Sequence, residues 1–460
     1  MTEKLTVRKL VLAMSLLTVG GQAMATNGYF THGVGVRLKG MAGAGVGSNS
    51  DLGPIVVANN PALALFAADG NEVGLALFSP HRAYEASESL ANGQGGAFTI
   101  GGGEVKSSSN LFPVPYFAKN WHLEDDRALT LMAYGRGGMN TDWDSSSATA
   151  IFDPDGPGPA PVSELQGTFG GGISGVDLSQ LYISLNYASR YSENLVWGIG
   201  PTLAVQSFEV VGLSAFAPYT ETFAAAGGTA FPDNLTNNGH DTSWGFGFTA
   251  GLWWGISDRW SFGLSYQSRI QMSEFGDYSD LFAGGGSFDT PPSTKAGLSY
   301  RADDNWRVNL DLEHTQFNEI ESVGNPMALI AGCPTAGLGG TSLNNCLGGS
   351  NGAGFGWQDM TTYKIGAEWS RTDTLTLRFG YSYGEQPIRA QDALFNILAP
   401  GVMEQHFTFG ATVDTASGNE WSAALMYAPE KEVVGDNLFD PTQRLTLKMY
   451  QFELELSYRF

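Results

Sequence analysis

The last ten residues, "QFELELSYRF" (451–460), alternate without a break between apolar and polar side chains. Because successive side chains of a β-strand point to opposite faces, the apolar set lies on one face and the polar set on the other. Charges in the middle of such a strand are stable only where the second face contacts water. A strand that lies between lipid and a polar lumen meets both conditions. The segment therefore predicts a membrane-spanning β-strand.

The same period of two recurs along the chain, in "RWSFGLSYQSR" (259–269), "DNWRVNLDLEHT" (304–315) and "TLTLRFGYSYG" (374–384). Short polar turns between such segments alternate with longer stretches rich in Gly, Ser and Pro, at roughly 87–109, 140–175, 213–241, 273–289, 319–357, 387–402 and 434–443. This alternation is typical of the periplasmic turns and extracellular loops of an outer-membrane barrel. Counting strands in this way predicts an all-β fold, a transmembrane antiparallel β-barrel of about 14 strands.

Composition and the start of the chain agree with an exported membrane protein. A basic segment (1–9), an apolar run (10–20) and "AMA" (23–25) predict a signal peptide over residues 1–25. Only 15% of the residues are charged, against 61 glycines, 27 Phe, 17 Tyr and 11 Trp. The net charge of −22 argues against nucleic acid as a partner, because such a chain has no excess cations to replace counterions. No later run approaches the ~18 apolar residues of a membrane helix.

Residues 26–69 precede the first predicted strand and have the apolar content of an ordered segment. A barrel of about 14 strands is too wide for its own side chains to fill, so its lumen is open or plugged. We therefore expect residues 26–69 to form an N-terminal hatch that plugs the lumen, and residues 70–460 to form the barrel.

The segment "TNGYFTHGVGVRLKGMAGAGVGSNSDLGPIVVANNPAL" (26–63) is similar to the N-terminal hatch of FadL-type outer-membrane transporters of long-chain fatty acids and aromatic hydrocarbons. Asn60, Pro61 and Ala62 match the Asn-Pro-Ala motif of that hatch. The order and spacing of the later segments extend the resemblance over the mature chain. It implies a hatch-plugged 14-stranded barrel in the bacterial outer membrane, surrounded by lipid and lipopolysaccharide. The terminal Phe460 resembles the signal by which the barrel assembly machinery recognises such proteins.

The third strand of the family carries a kink that opens a lateral gap in the wall. By order this strand is "RALTLMAYGRGGMNTDW" (127–143), where the alternation breaks at five residues, Tyr134, Gly135, Arg136, Gly137 and Gly138. Glycine inside a strand marks a bulge or a bend. We assign the lateral gate to these residues, although a plain barrel-corner glycine cluster would show the same pattern. Pro113 and Pro115, one strand earlier, cannot donate ladder hydrogen bonds and would weaken pairing beside the gate, unless they lie above the membrane zone.

In the family, ligand first docks between the third and fourth extracellular loops. The matching loops here, 213–234 and 274–288, carry eight candidate docking residues: Phe216, Tyr219, Phe223, Phe231, Phe275, Tyr278, Leu281 and Phe282. An apolar ligand gains ~0.8 kcal/mol for each methylene buried against such side chains. The alternative is that these residues pack the loops against one another. A fatty-acid carboxylate would also need a cation, for which Arg37, Lys39 and Arg136 are candidates, although each could equally form an internal ion pair.

Catalytic and metal-binding motifs are not evident in the sequence. The six histidines are scattered without paired-ligand spacing, and no nucleophile elbow occurs. The two cysteines, Cys333 and Cys346, predict a disulfide in an oxidising compartment rather than a metal pair. We therefore predict no enzyme, no cofactor and no metal. The predicted function is passive uptake of a hydrophobic small molecule, a long-chain fatty acid or a hydrocarbon. It proceeds by loop capture, an internal apolar pocket, hatch rearrangement and lateral exit. The alternatives are a general diffusion porin or an outer-membrane hydrolase.

Overall fold

The computed structural model describes residues 27–50, 52–144, 146, 148–152 and 163–460. The predicted signal peptide, residues 1–25, lies outside them. Fourteen antiparallel strands form one closed barrel, in which each strand pairs with its neighbours in the chain and the last pairs with the first. In chain order they are β1 Gly70–Ala86, β2 Phe112–Glu124, β3 Arg127–Trp143, β4 Ser174–Ser192, β5 Leu195–Val211, β6 Asp241–Gly255, β7 Trp260–Gln267, β8 Ser293–Arg301, β9 Trp306–Thr315, β10 Met360–Thr372, β11 Leu375–Gly384, β12 Gln405–Asp414, β13 Glu420–Asn437 and β14 Asp440–Arg459.

The other elements are short. The α-helices are Val36–Lys39, Glu221–Ala225, Ala283–Gly286, Glu321–Gly324 and Ala393–Asn396. The 3-10 helices are Pro54–Ala58, Pro61–Leu65, Gln94–Gly96, Ser214–Tyr219, Gly276–Tyr278, Phe317–Glu319, Met327–Gly332, Pro334–Ala336, Leu343–Asn345 and Ala390–Asp392. Five further strands lie in the loops: Thr99–Ile100, Gly103–Lys106, Thr149–Phe152, Ser163–Gln166 and Gln271–Met272. In the described residues no helix is long and apolar enough to span a membrane.

The predicted alternation of the barrel strands is confirmed. On β14, Phe452 is 48% exposed on the outer face, whereas Glu453 is 4% exposed and faces the lumen. The lipid-facing surface carries cross-strand aromatic pairs, such as Trp306 and Trp369, whose ring centroids are 5.2 Å apart. Such pairs stabilise neighbouring strands, and the aromatic surface suits the hydrocarbon zone and its borders.

One predicted connection is wrong. The stretch 434–443, expected to be a long loop, is instead a tight hairpin in which β13 ends at Asn437 and β14 begins at Asp440. The hairpin extends the two strands beyond the membrane zone. There the outward side chains are mostly polar, as at Glu432 and Arg444, while the apolar ones, such as Val433 and Leu445, are buried inside. The outward apolar row that marks a membrane strand is therefore missing.

Residues 27–50 and 52–69 contact the inward faces of the barrel strands, and nearly all of them are buried. Glycines in the wall make this close approach possible. A Cβ on Gly263 would lie 2.1 Å from the carbonyl oxygen of Val46, and one on Gly380 would lie 2.2 Å from the carbonyl carbon of Met41. Side chains at these wall positions would push the segment out of the lumen. We call residues 27–69 the hatch below.

Candidate transport path

The barrel wall is interrupted between β2 and β3. Their ladder runs from Glu124–Arg127 only as far as Tyr116–Tyr134, although β3 continues for nine residues beyond that pair. On its other side β3 stays paired with β4 up to Trp143–Ser174. The upper half of β3 has therefore lost one neighbour.

The ladder stops at a β-bulge. The register between β3 and β4 shifts between Gly135 and Gly137, so Arg136 is the extra residue of the bulged strand. The free edge of β3 pairs with the hatch instead, because Thr31 N donates to Arg136 O (3.1 Å) and Gly138 N donates to Tyr29 O (2.9 Å). Bulges bend a strand and end local pairing. Here the bulge turns the edge of β3 toward the hatch.

The facing part of β2 carries the two prolines. Residues 112–115 remain paired with β1, up to Phe78–Phe112. In an antiparallel strand, residues two apart direct their N–H groups to the same neighbour, so Pro113 and Pro115 remove donors from one edge only. The ladder toward β1 is continuous past both prolines, whereas the ladder toward β3 is missing. The backbone N–H groups that Pro113 and Pro115 lack would therefore have pointed away from β1, toward the open edge.

The interruption has a closed upper border. Ser107 bridges to Trp143, and Ser108 N donates to Asp142 O (2.9 Å). We call the gap bounded by residues 112–115 of β2 and residues 135–141 of β3 the wall window. The five predicted gate residues, Tyr134, Gly135, Arg136, Gly137 and Gly138, come together at its lower border. A Cβ on Gly137 would lie 2.5 Å from Gln180 Oε1 and 3.0 Å from the ring of Phe30.

Arg136 points into the lumen, as the alternation predicts. It is buried, its Nη2 lies 3.2 Å from Glu313 Oε1, and its guanidinium stacks 4.4 Å from the ring centroid of Phe30. Glu313 also contacts Lys364 at 2.6 Å. Of the two readings that the sequence leaves open, the internal ion pair is the one that this geometry forms.

A cavity of about 40 Å³ lies under the extracellular loops. Its lining, entirely within the described residues, contains one polar side chain, that of Ser322. The aromatic and aliphatic side chains around it come from six parts of the chain: Phe169, Val176, Phe208, Val210, Leu213, Phe216, Leu281, Phe282, Leu347, Ala353, Phe355, Phe395 and Leu398. An apolar enclosure of this kind suits an apolar ligand.

The candidate docking residues divide into three groups. Phe216, Leu281 and Phe282 line the cavity, and Phe275 and Tyr278 are buried behind it against Phe208, with ring centroids 5.4 and 4.9 Å apart. Of the two readings that the sequence leaves open, Phe275 and Tyr278 have the packing of loop against loop, because the loops fold over one another.

The third group of candidate docking residues lies at the margin of the cavity. Tyr219 packs against Phe439 with centroids 5.1 Å apart, while Phe223 and Phe231 form a separate pair at the rim, where Phe231 is 71% exposed. Sequence reasoning missed Phe208 and Val210. These are inward positions of β5 that stay apolar although the lumen lower down is polar, a change of pattern that is visible in the sequence.

A thin partition separates this cavity from the wall window. The segment "LAPG" (398–401), between β11 and β12, has Leu398 on the cavity side, while Ala399, Pro400 and Gly401 line a smaller cavity behind the window. Thr141 Oγ1 donates to Leu398 O (2.7 Å), which fixes the partition to β3.

Comparison with known proteins identifies the family. Residues 163–453 match the model of the family described as outer membrane protein transport protein (OMPP1/FadL/TodX). The chain belongs to the FadL/TodX family. It is therefore an outer-membrane β-barrel of a family that transports hydrophobic compounds, and it is not an enzyme.

Solved structures share the fold of this FadL/TodX-family chain at low identity. The toluene transporter TodX of P. putida is 18% identical, with a TM-score of 0.61 over 93% of this chain and 99% of that chain. A FadL homologue of Pseudomonas aeruginosa is 16% identical, with a TM-score of 0.60 over 96% and 99%. The toluene transporter TbuX of Ralstonia pickettii is 15% identical, with a TM-score of 0.56 over 93% and 99%. No match is found among curated protein sequences.

The Asn-Pro-Ala motif of this FadL/TodX-family chain fixes the hatch to the wall. Asn60 Nδ2 donates to Val46 O (3.0 Å) in the hatch and to Leu252 O (2.9 Å) on β6. Its Oδ1 accepts from Ala62 N (3.0 Å) and caps the 3-10 helix that begins at Pro61. One side chain thus closes a turn and ties the hatch to the barrel.

Buried ion pairs connect the hatch to the wall on the opposite side. Arg37 pairs with Glu420 of β13, and Lys39 pairs with Glu453 and Glu455 of β14. These two carboxylates hold the pKa of Lys39 above its ordinary value, against the effect of burial, so the ammonium stays charged. The candidate cations Arg37 and Lys39 are therefore engaged with wall carboxylates.

Cys333 and Cys346 form a disulfide, with their Cα atoms 4.7 Å apart. The stapled loop contacts the third extracellular loop, since Leu347 N donates to Tyr219 O (2.9 Å) and Glu221 N donates to Leu347 O (2.9 Å). The disulfide thus holds Leu347, a lining residue of the apolar cavity, against the loop that carries Phe216.

Proposed function

We propose that this chain takes up hydrophobic small molecules passively, by capture in the cavity under loops 213–234 and 274–288 and lateral release at the wall window. The observation that carries the proposal is the pair of features on either side of the partition: an apolar enclosure above it and an interrupted wall beside it. The ligand class is hydrocarbons and long-chain fatty acids.

The cavity favours an apolar ligand body. Its aromatic walls include Phe216 and Phe395, whose centroids are 5.4 Å apart, and Ser322 alone provides a polar side chain. A ligand that enters exchanges water for these rings and gains roughly 25 cal/mol for each Å² of apolar surface removed from water. At about 40 Å³ the cavity must widen to admit a ring or chain, so loop movement is part of capture.

Passage from cavity to window requires the partition to move. Two hydrogen bonds hold it to β3, one from Thr141 to Leu398 O and one from Trp143 Nε1 to Ile397 O (3.2 Å). The hatch residues Tyr29 and Phe30, which pair with the edge of β3, form the other side of the barrier. We propose that displacement of residues 397–401, together with Tyr29 and Phe30, opens the path.

Lateral release is favoured by the chemistry of the ligand. An apolar molecule that leaves through the wall enters lipid directly and avoids both a polar lumen and the aqueous side of the membrane. The outward position of Pro113 and Pro115 beside the window agrees with this exit, because no ladder donor has to be broken there.

The test is a substitution that fills the window border. Gly137→Val places methyl groups where a Cβ already approaches Gln180 and Phe30. We expect uptake of radiolabelled toluene and oleate by cells to fall about tenfold, which corresponds to ~1.4 kcal/mol on the barrier.

The matched control is Ala411→Val, which places the same isopropyl side chain in the lipid-facing row of β12, away from the window. It should keep wild-type uptake, and both variants should keep the heat-modifiable gel mobility of a folded barrel. Uptake by Gly137→Val at or above the wild-type rate would refute exit at the window.

The alternative of a general diffusion porin predicts an open lumen. If the hatch plugs the lumen, as its contacts with the inward wall support, single-channel recordings of the wild type should show no sustained large conductance. A stable porin-like conductance would favour the alternative.

A further inference from the structure

One buried cation differs from all the others in the described residues. Five buried Lys and Arg side chains contact a carboxylate within 4 Å: Arg37, Lys39, Arg136, Lys364 and Arg378. Arg82 on β1 is 4% exposed, yet no carboxylate of the described residues lies within 4 Å of it. Burying a charge without a partner is costly, and arginine stays protonated even there.

The contacts of Arg82 leave hydrogen-bonding capacity unused. Its Nη2 donates to Ser109 O, and its guanidinium lies 5.6 Å from the ring centroid of Phe112, while Nε has no hydrogen-bond partner in the described part of the chain. Asp177 attracts the guanidinium from beyond contact distance, but its Oδ2 lies 3.2 Å from His240. Arg82 thus presents a free donor in a place where an anion would be stabilised.

This donor lies beside the closed upper border of the wall window, where Ser107 N donates to Arg82 O (2.9 Å). Arg82 belongs to the part of β1 above the Phe78–Phe112 pair, where β1 no longer pairs with β2. Asn140 of β3, at the window border, is also buried, and its Oδ1 has no hydrogen-bond partner among the described residues. Both line the cavity of about 10 Å³ behind the partition, a volume close to that of one water molecule or one carboxylate oxygen.

We infer that Arg82 and Asn140 form a carboxylate site at the wall window, which binds the head group of a hydrophobic carboxylic acid on its way into lipid. This inference rests on the proposed exit at the window. The guanidinium donates from Nε, and the Asn140 amide, turned so that Nδ2 replaces the unpaired Oδ1, donates from the other strand, so the anion receives hydrogen bonds from both β1 and β3. Met139, Trp357 and Met449 complete the lining and suit the apolar body of the ligand.

The site would bind the carboxylate of an acid during its passage, whereas a hydrocarbon has no charged group that needs such a contact. The apolar cavity above the partition contains no cation in its lining, so it accepts the body of either ligand class. A carboxylate that left this cavity would otherwise cross an apolar partition without a partner. Arg82 provides that partner where the wall opens.

The test compares a long-chain fatty acid with its own methyl ester, at a pH where the acid is ionised. Arg82→Gln should lower cellular uptake of the acid about tenfold, the effect of one lost charge-assisted hydrogen bond, and leave ester uptake within about twofold. Arg82→Lys, which keeps the charge but not the planar fork, should retain intermediate acid uptake. Asn140→Leu should weaken acid uptake in the same direction.

Binding provides a second readout. Equilibrium dialysis of the radiolabelled acid against detergent-purified protein should show about tenfold weaker binding to Arg82→Gln. Heat-modifiable mobility checks that each variant is folded. Equal losses for acid and ester would show a structural role of Arg82, and unchanged acid uptake would show none; either result overturns the site.

The two proposals fail in different ways. If wild-type cells take up neither compound above the empty-vector level, the proposed function fails. If the wild type takes up the ester and Gly137→Val blocks it, but Arg82→Gln leaves acid uptake unchanged, the proposed function stands and only the carboxylate site is refuted.

Discussion

Removal of the Lys39 ammonium should release the hatch. Lys39 ends the short helix Val36–Lys39, and its Nζ lies between Glu453 and Glu455, at 2.5 Å from Glu455 Oε2. Lys39→Met keeps most of the apolar stem but leaves two buried carboxylates of β14 facing each other. Breaking a buried ion pair by removing one partner costs about 3–5 kcal/mol, because the remaining charge is uncompensated.

This free-energy cost destabilises the seated position of the hatch and leaves the stability of the barrel unchanged. If the glutamates become hydrated once the hatch leaves, the ratio of seated to released hatch falls roughly a hundred- to several-thousandfold. Planar-bilayer recordings of Lys39→Met should show frequent large openings that are rare in the wild type. The triple variant Lys39→Met, Glu453→Gln, Glu455→Gln removes the stranded charges and should return most recordings to the quiet state.

The barrel itself provides the control. Lys39→Met should keep the heat-modifiable mobility of the wild type, because the ladders of β14 with β13 and β1 do not involve Lys39. Recordings of folded Lys39→Met that are as quiet as those of the wild type would refute the view that these ion pairs hold the hatch.

Two further predictions concern the same equilibrium. Asn60→Ala removes donors to Val46 O and Leu252 O and should cost the seated hatch about 1–3 kcal/mol, seen as intermediate bilayer conductance and faster proteolysis of the hatch; unchanged proteolysis would contradict it. His32 is buried 5.6 Å from His406, and burial with nearby positive charge holds its pKa below the ordinary value. The released hatch therefore binds a proton that the seated hatch does not, so seating weakens as pH falls below about 6.5, by ~1.4 kcal/mol per pH unit. Openings should increase toward pH 5 in the wild type and less so in His32→Gln.

Local patterns predict the wall and the bulge correctly because each depends on neighbouring residues alone. Alternation on β14 follows from the pleat, and the glycine cluster at 135–138 locates the break in the ladder, since glycine tolerates a bulge. The hairpin after β13 is not predicted, because strands that leave the membrane lose the outward apolar face that marks them in the sequence.

The interior of the path could not be predicted from the sequence. The partition "LAPG" reads as an ordinary loop, and its position between cavity and window follows only from where the loop between β11 and β12 folds back. The docking aromatics have the right composition, but whether Phe216 or Phe231 lines the cavity depends on how several loops pack. The sequence likewise does not distinguish Arg82 from the other inward arginines, because its lack of a nearby carboxylate depends on how the strands and loops pack.

The buried cations near the hatch and the buried cation at the wall window differ in their contacts with carboxylates. Glutamates on the lumen face of β9, β13 and β14 are matched by Arg37, Lys39 and Arg136, so these three cations are used in holding the hatch and the bulge. Arg82 stands outside this pairing, at the window. A conductance change without a change in acid selectivity is therefore expected for Lys39→Met, and the reverse for Arg82→Gln. If both variants changed both properties, hatch and window would form one coupled element, and the separate roles argued from their contacts would be wrong.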